Sequence, residues 1–323
     1  MNSVAPNPEQ MRLITRVLAL HFEEGRPQSE IAKELGLSAA KVNRLIKQGR
    51  ELGMVQITIK SPLLRLFDLE RALVDRWRLK NCIVVPAVTG SAEATLKEVG
   101  RAAASFFTDR LRDGDTIAIS GGKTLSTLIE SLSPPRRFDV TVVPMTGGVQ
   151  GQHYTDVNHL ATELARKLGG TAMLIHAPLH AASKEERDVL MKLKTVRDVM
   201  DAAREAAVAL VGIGAVVGPD STYYQAHPVS KDERRGLYGS GVRSEFLGHL
   251  IDHDGALSDN DLNSRLVALP PREVASIPVA IAVASGAEKV EPIVAAMNGC
   301  YFNSLVTDEN TARLVLERRG WDA

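Results

Sequence analysis

Three short runs in this sequence bring together glycines and hydroxyls, two of them with a lysine, in ways that can hold an anion. Ser120-Gly121-Gly122-Lys123-Thr124 and Ala284-Ser285-Gly286-Ala287-Glu288-Lys289 each follow an apolar run and lead into a helical pattern. The glycines permit close backbone approach, and the opening turn of a helix offers amides with no intrahelical acceptor, the usual means of binding phosphate without a metal. Met145-Thr146-Gly147-Gly148-Val149 repeats the placement, and Asn158 opens the helix after it. The first run is not a P-loop, which needs four residues between its first Gly and the Gly-Lys-Ser/Thr, and it is not a dinucleotide fingerprint. One such loop by itself reads equally well as a tight connection. Asp252, in Gly248-His249-Leu250-Ile251-Asp252-His253-Asp254-Gly255, is a carboxylate placed to accept from ligand hydroxyls. His249 and His253 nearby match no metal-ligand spacing, and Asp-x-Asp-Gly is common turn chemistry, so no metal is assigned.

A second group of polar residues lies near the start of the chain. The tripeptide Gly36-Leu37-Ser38 separates two short amphipathic patterns. Ala32 is small where two helices would cross, Gly36 suits a helix C-terminus, and Ser38 can cap the next helix. Ile31, Leu35, Leu37, Val42 and Leu45 form a shared apolar seam, leaving Ser38, Ala39, Ala40, Lys41, Asn43, Arg44 and Lys47 on the outer face. Such a face fits a DNA major groove: lysines neutralise phosphates, and Asn43 and Arg44 can reach base edges.

The elements that carry these groups follow from periodicity. Met11, Ile14, Leu18 and Phe22 mark a first helix that Gly25 stops, and Val55 to Ile59 alternates like the half-buried strand of a wing. Beyond Pro62, a linker helix carries Leu63, Leu66, Leu69, Leu73 and Trp77 as an apolar stripe, to be covered by a second copy or by the neighbouring domain. Apolar runs CIVVP, DTIAIS, DVTVVPM, AMLIHAP, AAVALVGIG, IPVAIAVAS and SLVTD then alternate with helical stretches. That is the pattern of a doubly wound α/β domain whose parallel sheet is buried on both faces, with ligands at the carboxyl ends of its strands. The expected division is a winged helix-turn-helix over 1–60, a linker helix over 61–80 and a ligand-binding domain over 81–323.

Composition agrees with a folded two-domain protein. The 323 residues are 44% hydrophobic and 24% charged. Lys+Arg and Asp+Glu both number 39, so overall charge favours no partner, although nine basic residues oppose six acidic ones up to Ser61. Cys82 and Cys300 stand alone without a CxxC partner, which fits a reducing cytoplasm. No signal peptide and no membrane-spanning run is expected.

Taken in order, QSEIAKELGLSAAKVNRLIKQGRELGMVQITI, AISGGKTL, VVPMTGGV, LVGIGAV, FLGHLIDHDG and VAIAVASGAEKVEPIVAAMNGCYFNSLVTDENTA give the chain its resemblance, over nearly its whole length, to the SorC/DeoR-type sugar-binding transcriptional regulators. The resemblance implies an effector domain folded like ribose-5-phosphate isomerase and glucosamine-phosphate deaminase, in a homotetrameric repressor of a carbohydrate catabolic operon. It implies double-stranded DNA and a small phosphorylated sugar or polyol as partners, and no cofactor. By the same resemblance Gly122, Lys123, Thr124, Gly286 and Lys289 hold the phosphate, Gly147, Gly148 and Asn158 line the sugar, and Asp252 takes a hydroxyl. Relatives commonly place Trp at the position of Gly121 and often Gly at that of Ser285, so this pocket has a roomier wall and a free polyol or unusual sugar stays open. The alternatives are an isomerase- or deaminase-type enzyme with an appended DNA-binding domain, a sensor that forms a Schiff base through Lys123 or Lys289, and a module whose glycine loops bind nothing.

Overall fold

The computed structural model describes residues 7–58, 60–61, 63–149, 156–216 and 231–318; Ile59 of the expected wing strand and Pro62 lie outside them. The chain divides into two compact units, Met1–Leu64 and Arg65–Ala323.

In the small unit, α1 (Pro8–Leu18) is capped by Asn7, which accepts from the Gln10 amide at 2.8 Å. A π turn over Ala19–Glu23 widens the helix and shifts the register of its last residues. Leu20 is therefore buried, whereas Phe22, expected on the buried stripe, is exposed beneath the Arg50 guanidinium, 5.3 Å from the ring centroid. After α2 (Gln28–Glu34), Gly36 takes φ +66° and the Leu37 amide donates back to the Ala32 carbonyl at 2.8 Å, a closure that requires a residue at ease in the left-handed region. Ser38 then caps α3 (Ala39–Glu51) by accepting from the Lys41 amide. Ile14, Val17, Leu18, Ile31, Val42, Leu45 and Ile46 fill the shared core, with Leu35 and Leu37 packed on its edge. Residues 54–58 form no strand. Val55 packs on the helical core while Ile57 is exposed. A strand needs a partner for its ladder, and among the described residues this unit has none to offer, so the alternation there does not become a wing.

From α4 (Leu64–Trp77), whose first residue closes the small unit, the large unit runs through β1 (Asn81–Val85), α5 (Ala92–Thr108), β2 (Thr116–Ile119), α6 (Lys123–Ser131), β3 (Thr141–Pro144), α7 (Val157–Leu168), β4 (Thr171–Ala172), α8 (Lys184–Lys192), α9 (Lys194–Arg204), β5 (Val208–Gly212) and β6 (Gly214–Ala215). Then come α10 (Lys231–Gly239), β7 (Val242–Phe246), β8 (His249–Asp252), α11 (Asp261–Ser264), α12 (Pro271–Val274), β9 (Val279–Val283), α13 (Val290–Asn298), β10 (Ser304–Asp308) and α14 (Glu309–Glu317). Seven strands form a parallel sheet in the order β1-β10-β9-β5-β2-β3-β4. Successive residues of each strand feed opposite cores. Ala118, Val143, Ala209 and Ala282 join Leu66, Leu73, Val199, Met200 and Phe246 on one face. Ile117, Val142, Leu210 and Ile281 join Val99, Phe107, Leu125, Leu128 and Leu164 on the other. Both faces are covered, as the apolar runs predict.

The stripe of α4 is covered by its own domain at Leu66 and Leu73, while Leu63, Leu64 and Phe67 stay exposed. Ion pairing and hydrogen bonds fix the helix further: Arg65 to Glu309, the Glu70 carboxylate accepting from the Val84 amide, and Arg76 to the Leu316 carbonyl. A small antiparallel sheet, β6-β7-β8, which the sequence reading does not anticipate, grows from the carboxyl end of β5. Its hairpin turns through Leu247 and Gly248, both at positive φ.

Candidate effector site and nucleic-acid interface

In the strand order, β2 continues outward to β3 and β4, while β5 returns to the other side of β2. The crevice at the carboxyl ends of β2 and β5 is the switch point where open α/β sheets bind ligands. Gly121 to Thr124 emerge from β2 there. Ser120 ties the two strand ends together, its Oγ accepting from the Gly212 amide at 3.1 Å. Gly122 has φ +134°, barred to side chains, with open space where a Cβ would stand. It begins α6 without a side-chain cap, so the first-turn amides of Lys123 and Thr124 and the positive end of the helix face that space. The Lys123 side chain is exposed.

The second glycine loop follows β9, the strand beside β5. Gly286 and a short turn over Ala287–Lys289 lead into α13. Lys289 reaches over the end of β5, and its Nζ donates to the Ile213 carbonyl at 2.9 Å. Burial pushes its pKa down, partly offset by Glu245 and Glu288. Glu245, on β7, accepts from the Gly248 amide, and burial pushes its carboxyl pKa up, with Lys289 opposing. The structure thus brings Gly122, Lys123, Thr124, Gly286 and Lys289 around one strand end. Ser120, the first residue of the run read from the sequence, joins them, and the structure adds Ile213 and Glu245, for which the sequence gives no obvious sign, since β6 and β7 are not read from it.

The third loop does different work. Gly147 donates to the Val267 carbonyl and Gly148 to the Ala177 carbonyl. A Cβ on Gly147 would lie 2.3 Å from the Pro178 carbonyl oxygen, so glycine is required there for close backbone packing. Asn158 donates to the Ile175 carbonyl at 2.9 Å and accepts from the Ile175 amide at 3.0 Å. Its side chain is thereby tied to the backbone just beyond β4. Asp252 accepts from the Asp254 and Ala256 amides, both at 2.9 Å, and so closes its own turn. Both of these bonds fall on Oδ1 of Asp252, which leaves its Oδ2 able to accept from a hydroxyl. Among the described residues no three His, Cys, Asp or Glu side chains converge as metal ligands.

On the small unit, Ser38, Ala39, Lys41, Asn43, Arg44 and Lys47 are all exposed on the outer face of α3, with Val42, Leu45, Ile46 and Gly49 buried beneath. Lys47 also pairs with Glu51 at 3.8 Å. Arg26 and Arg16 both pair with Glu34 at the end of α2. Side chains that are small at the helix start and cationic further along can enter a groove beside phosphates.

Residues 61–317 match the family described as "Putative sugar-binding domain", and residues 16–52 match sigma-70, region 4. The transcriptional regulator LsrR of Enterobacter sp. (strain 638) is 32% identical over 311 residues, covering 95% of this chain and 94% of that protein. LsrR of Escherichia coli (strain K12) is 32% identical over 307 residues, 94% of each chain. Among solved structures, the full-length sorbitol operon regulator SorC from Klebsiella pneumoniae superposes with a TM-score of 0.73 at 28% identity, covering 96% of this chain and all of that one. A DeoR family transcriptional regulator from Listeria monocytogenes shares the fold, with a TM-score of 0.71 at 24% identity over 77% of this chain and 99% of the other. The likeness is to regulators along the whole chain, which sets aside the enzyme reading. No helix of the described residues is long and apolar enough to cross a membrane. With reader and sensor matched in order, the chain belongs to the SorC/DeoR-type sugar-binding transcriptional regulators.

Proposed function

We propose that the chain represses a carbohydrate catabolic operon and is released or re-set by a phosphorylated sugar or polyol bound at the β2/β5 switch point. The observation that carries this reading is the pair of glycine-led helix starts, at Gly122 and Gly286, set on either side of the β5 end that Lys289 covers. Uncapped amides, helix dipoles and a cation fit a phosphate group. Glu245 beside them is an acceptor suited to hydroxyls. We place the effector contacts at Gly122, Lys123, Thr124, Gly286 and Lys289, and the DNA contacts at Ser38, Ala39, Lys41, Asn43, Arg44 and Lys47. Assembly as a homotetramer, presenting several reading helices to a symmetric operator, belongs to the same proposal.

A ligand that binds only the folded state raises its melting temperature. A thermal-shift screen of the full chain against free and phosphorylated sugars and polyols should find a phosphorylated compound that stabilises it, and Lys289→Ala should lose most of that shift. A screen in which only unphosphorylated compounds stabilise the chain, or in which Lys289→Ala responds fully, would remove the phosphate from the account.

The lowered pKa of Lys289 supports a second reading, in which its amine attacks the aldehyde carbon of an open-chain sugar, water leaves and an imine forms. Borohydride would trap that imine as a secondary amine on Lys289, visible by peptide mass; no adduct means reversible non-covalent binding.

A further inference from the structure

The second glycine loop is bound to an element that the effector reading does not use. Ser285 Oγ donates to Asp308 Oδ2 at 2.8 Å, and the Gly286 amide donates to Thr311 Oγ1 at 2.9 Å. Thr311 Oγ1 in turn donates to the same Asp308 carboxylate. Asp308 is buried and caps α14, its other oxygen accepting from the Asn310 and Thr311 amides at 2.9 and 3.1 Å. Two consecutive residues of the effector loop are thus bonded directly to the first turn of α14.

The next residue, Glu309, opens that turn. Its carboxylate is 11% exposed and is held by Arg65 through two parallel bonds, Nε to Oε1 at 2.9 Å and Nη2 to Oε2 at 3.1 Å. Arg313 adds a third bond from one turn along α14, at 2.9 Å. The fork geometry fixes orientation as well as distance, which a single lysine contact would not. Arg65 is the first residue of the large unit, directly following Leu64 at the end of the small one. From Gly286 to Arg65 every step is therefore a hydrogen bond, an ion pair or a peptide bond inside the large unit, and the last member is covalently next to the DNA-reading unit.

We infer that Arg65 and Glu309 are the positioning pair through which the state of the Ser285–Lys289 loop reaches the DNA-reading unit, so that ligand at that loop sets how the start of α4 is held. Neither residue touches effector or DNA in this account; they act through Asp308 and Thr311 on one side and through the chain at Leu64 on the other. Energetic coupling between sites needs a shared element that both sites bias. The first turn of α14 is that element: the loop binds one side of it and Arg65 the other. This inference rests on the effector reading of the Gly286 loop.

The experiment uses the full chain, a double-stranded operator selected from a random pool, and glucose 6-phosphate, fructose 6-phosphate, ribose 5-phosphate and sorbitol 6-phosphate as probes. Operator Kd is measured without and with each probe, and probe Kd by calorimetry, for wild type, Arg65→Gln, Glu309→Gln, the double variant and Arg313→Gln. Thermal melts check that each variant is folded. If no probe changes wild-type operator binding, the effector reading fails and the coupling falls with it. If wild type responds, by about fivefold or more as allosteric couplings usually do, the expected result is distinct. Arg65→Gln and Glu309→Gln keep probe Kd within about twofold of wild type while their operator response shrinks to within about twofold of none. The double variant loses no more than either single one, because both remove the same link, and Arg313→Gln retains most of the response. A wild-type-sized response in Arg65→Gln and Glu309→Gln overturns the inference and leaves the effector reading standing. So does a loss of probe binding that matches the loss of response, which would give the pair a purely structural role.

Discussion

Arg44 and Lys47 lie nearly one turn apart on the exposed face of α3, yet their removal should be felt differently. A side chain that reads base edges costs discrimination, on the order of 1–3 kcal/mol for a bidentate contact, whereas a phosphate contact costs affinity for all sequences and lowers the salt slope by about one ion. Arg44→Ala and Asn43→Ala should bring operator and scrambled DNA closer in affinity. Lys47→Ala should weaken both alike and flatten the dependence on salt; anisotropy titrations at two salt concentrations separate these outcomes, and the reverse assignment would move the reading role to Lys47. His249 offers a test in the sensor. Burial lowers its pKa from 6.5 to about 4, with the Arg187 charge adding to the effect. The unfolded chain takes up this proton as pH falls below about 6.5, and the folded chain does not until about 4. The unfolded state thus binds more protons in that window, and stability is lost as pH falls through it, by on the order of 3 kcal/mol at about 1.4 kcal/mol per unit. Urea unfolding between pH 7 and 4.5 should show a shallower loss in His249→Gln than in wild type; equal slopes would mean that the folded state protonates this ring freely.

Two glycines at element crossings differ in what they touch. A methyl on Gly49 would lie 2.6 Å from Leu18 Cδ1, the movable end of a side chain where α1 meets α3. Gly49→Ala is expected to cost about 1–3 kcal/mol, the usual range for overpacking. On Gly147 the same methyl meets backbone at Pro178, which cannot swing aside, so Gly147→Ala should cost more and melt at lower temperature than Gly49→Ala; the opposite order would show that the third loop is packed less tightly than its hydrogen bonds imply. At this scale much of the molecule is legible in the sequence. The parallel strands announce themselves because burial on both faces demands unbroken apolar runs, and Gly36 and Ser38 mark the turn because only certain residues suit a left-handed C′ position and an N-cap. The wing is misleading, since alternation reports which side chains would be buried but not whether a partner strand exists. AMLIHAP shortens to a two-residue strand, Thr171–Ala172, as the apolar residues beyond pack in irregular backbone. The β6-β7-β8 sheet is hard to see because Val242-Arg243-Ser244-Glu245-Phe246 is brief and one turn residue, Leu247, adopts a positive φ that its side chain disfavours. Asn158 looks like a ligand contact by type and place, and only its tertiary partner, the Ile175 backbone, reveals where its amide is bonded, whereas Asp252 gives one carboxylate oxygen to its own turn and keeps the other.

As a whole, the molecule joins a reader whose outward face is polar and cationic to a sheet whose switch point carries the proposed effector loops. The two have distinct cores, and the chain passes between them at Leu64 and Arg65. Regulation then requires the effector to favour one arrangement of the reading helices over another, since a ligand of equal affinity for both shifts nothing. Reciprocity is a consequence of linkage: whatever factor the effector imposes on operator affinity, operator must impose on effector affinity. Gating of DNA binding by a phosphorylated sugar is read out by the operator Kd of the full chain at fixed, moderate salt, without and with a saturating phosphorylated sugar chosen by its thermal shift. The expected result is a change of about fivefold or more that Lys289→Ala largely abolishes; an operator Kd that stays within about twofold for every stabilising compound would rule such gating out.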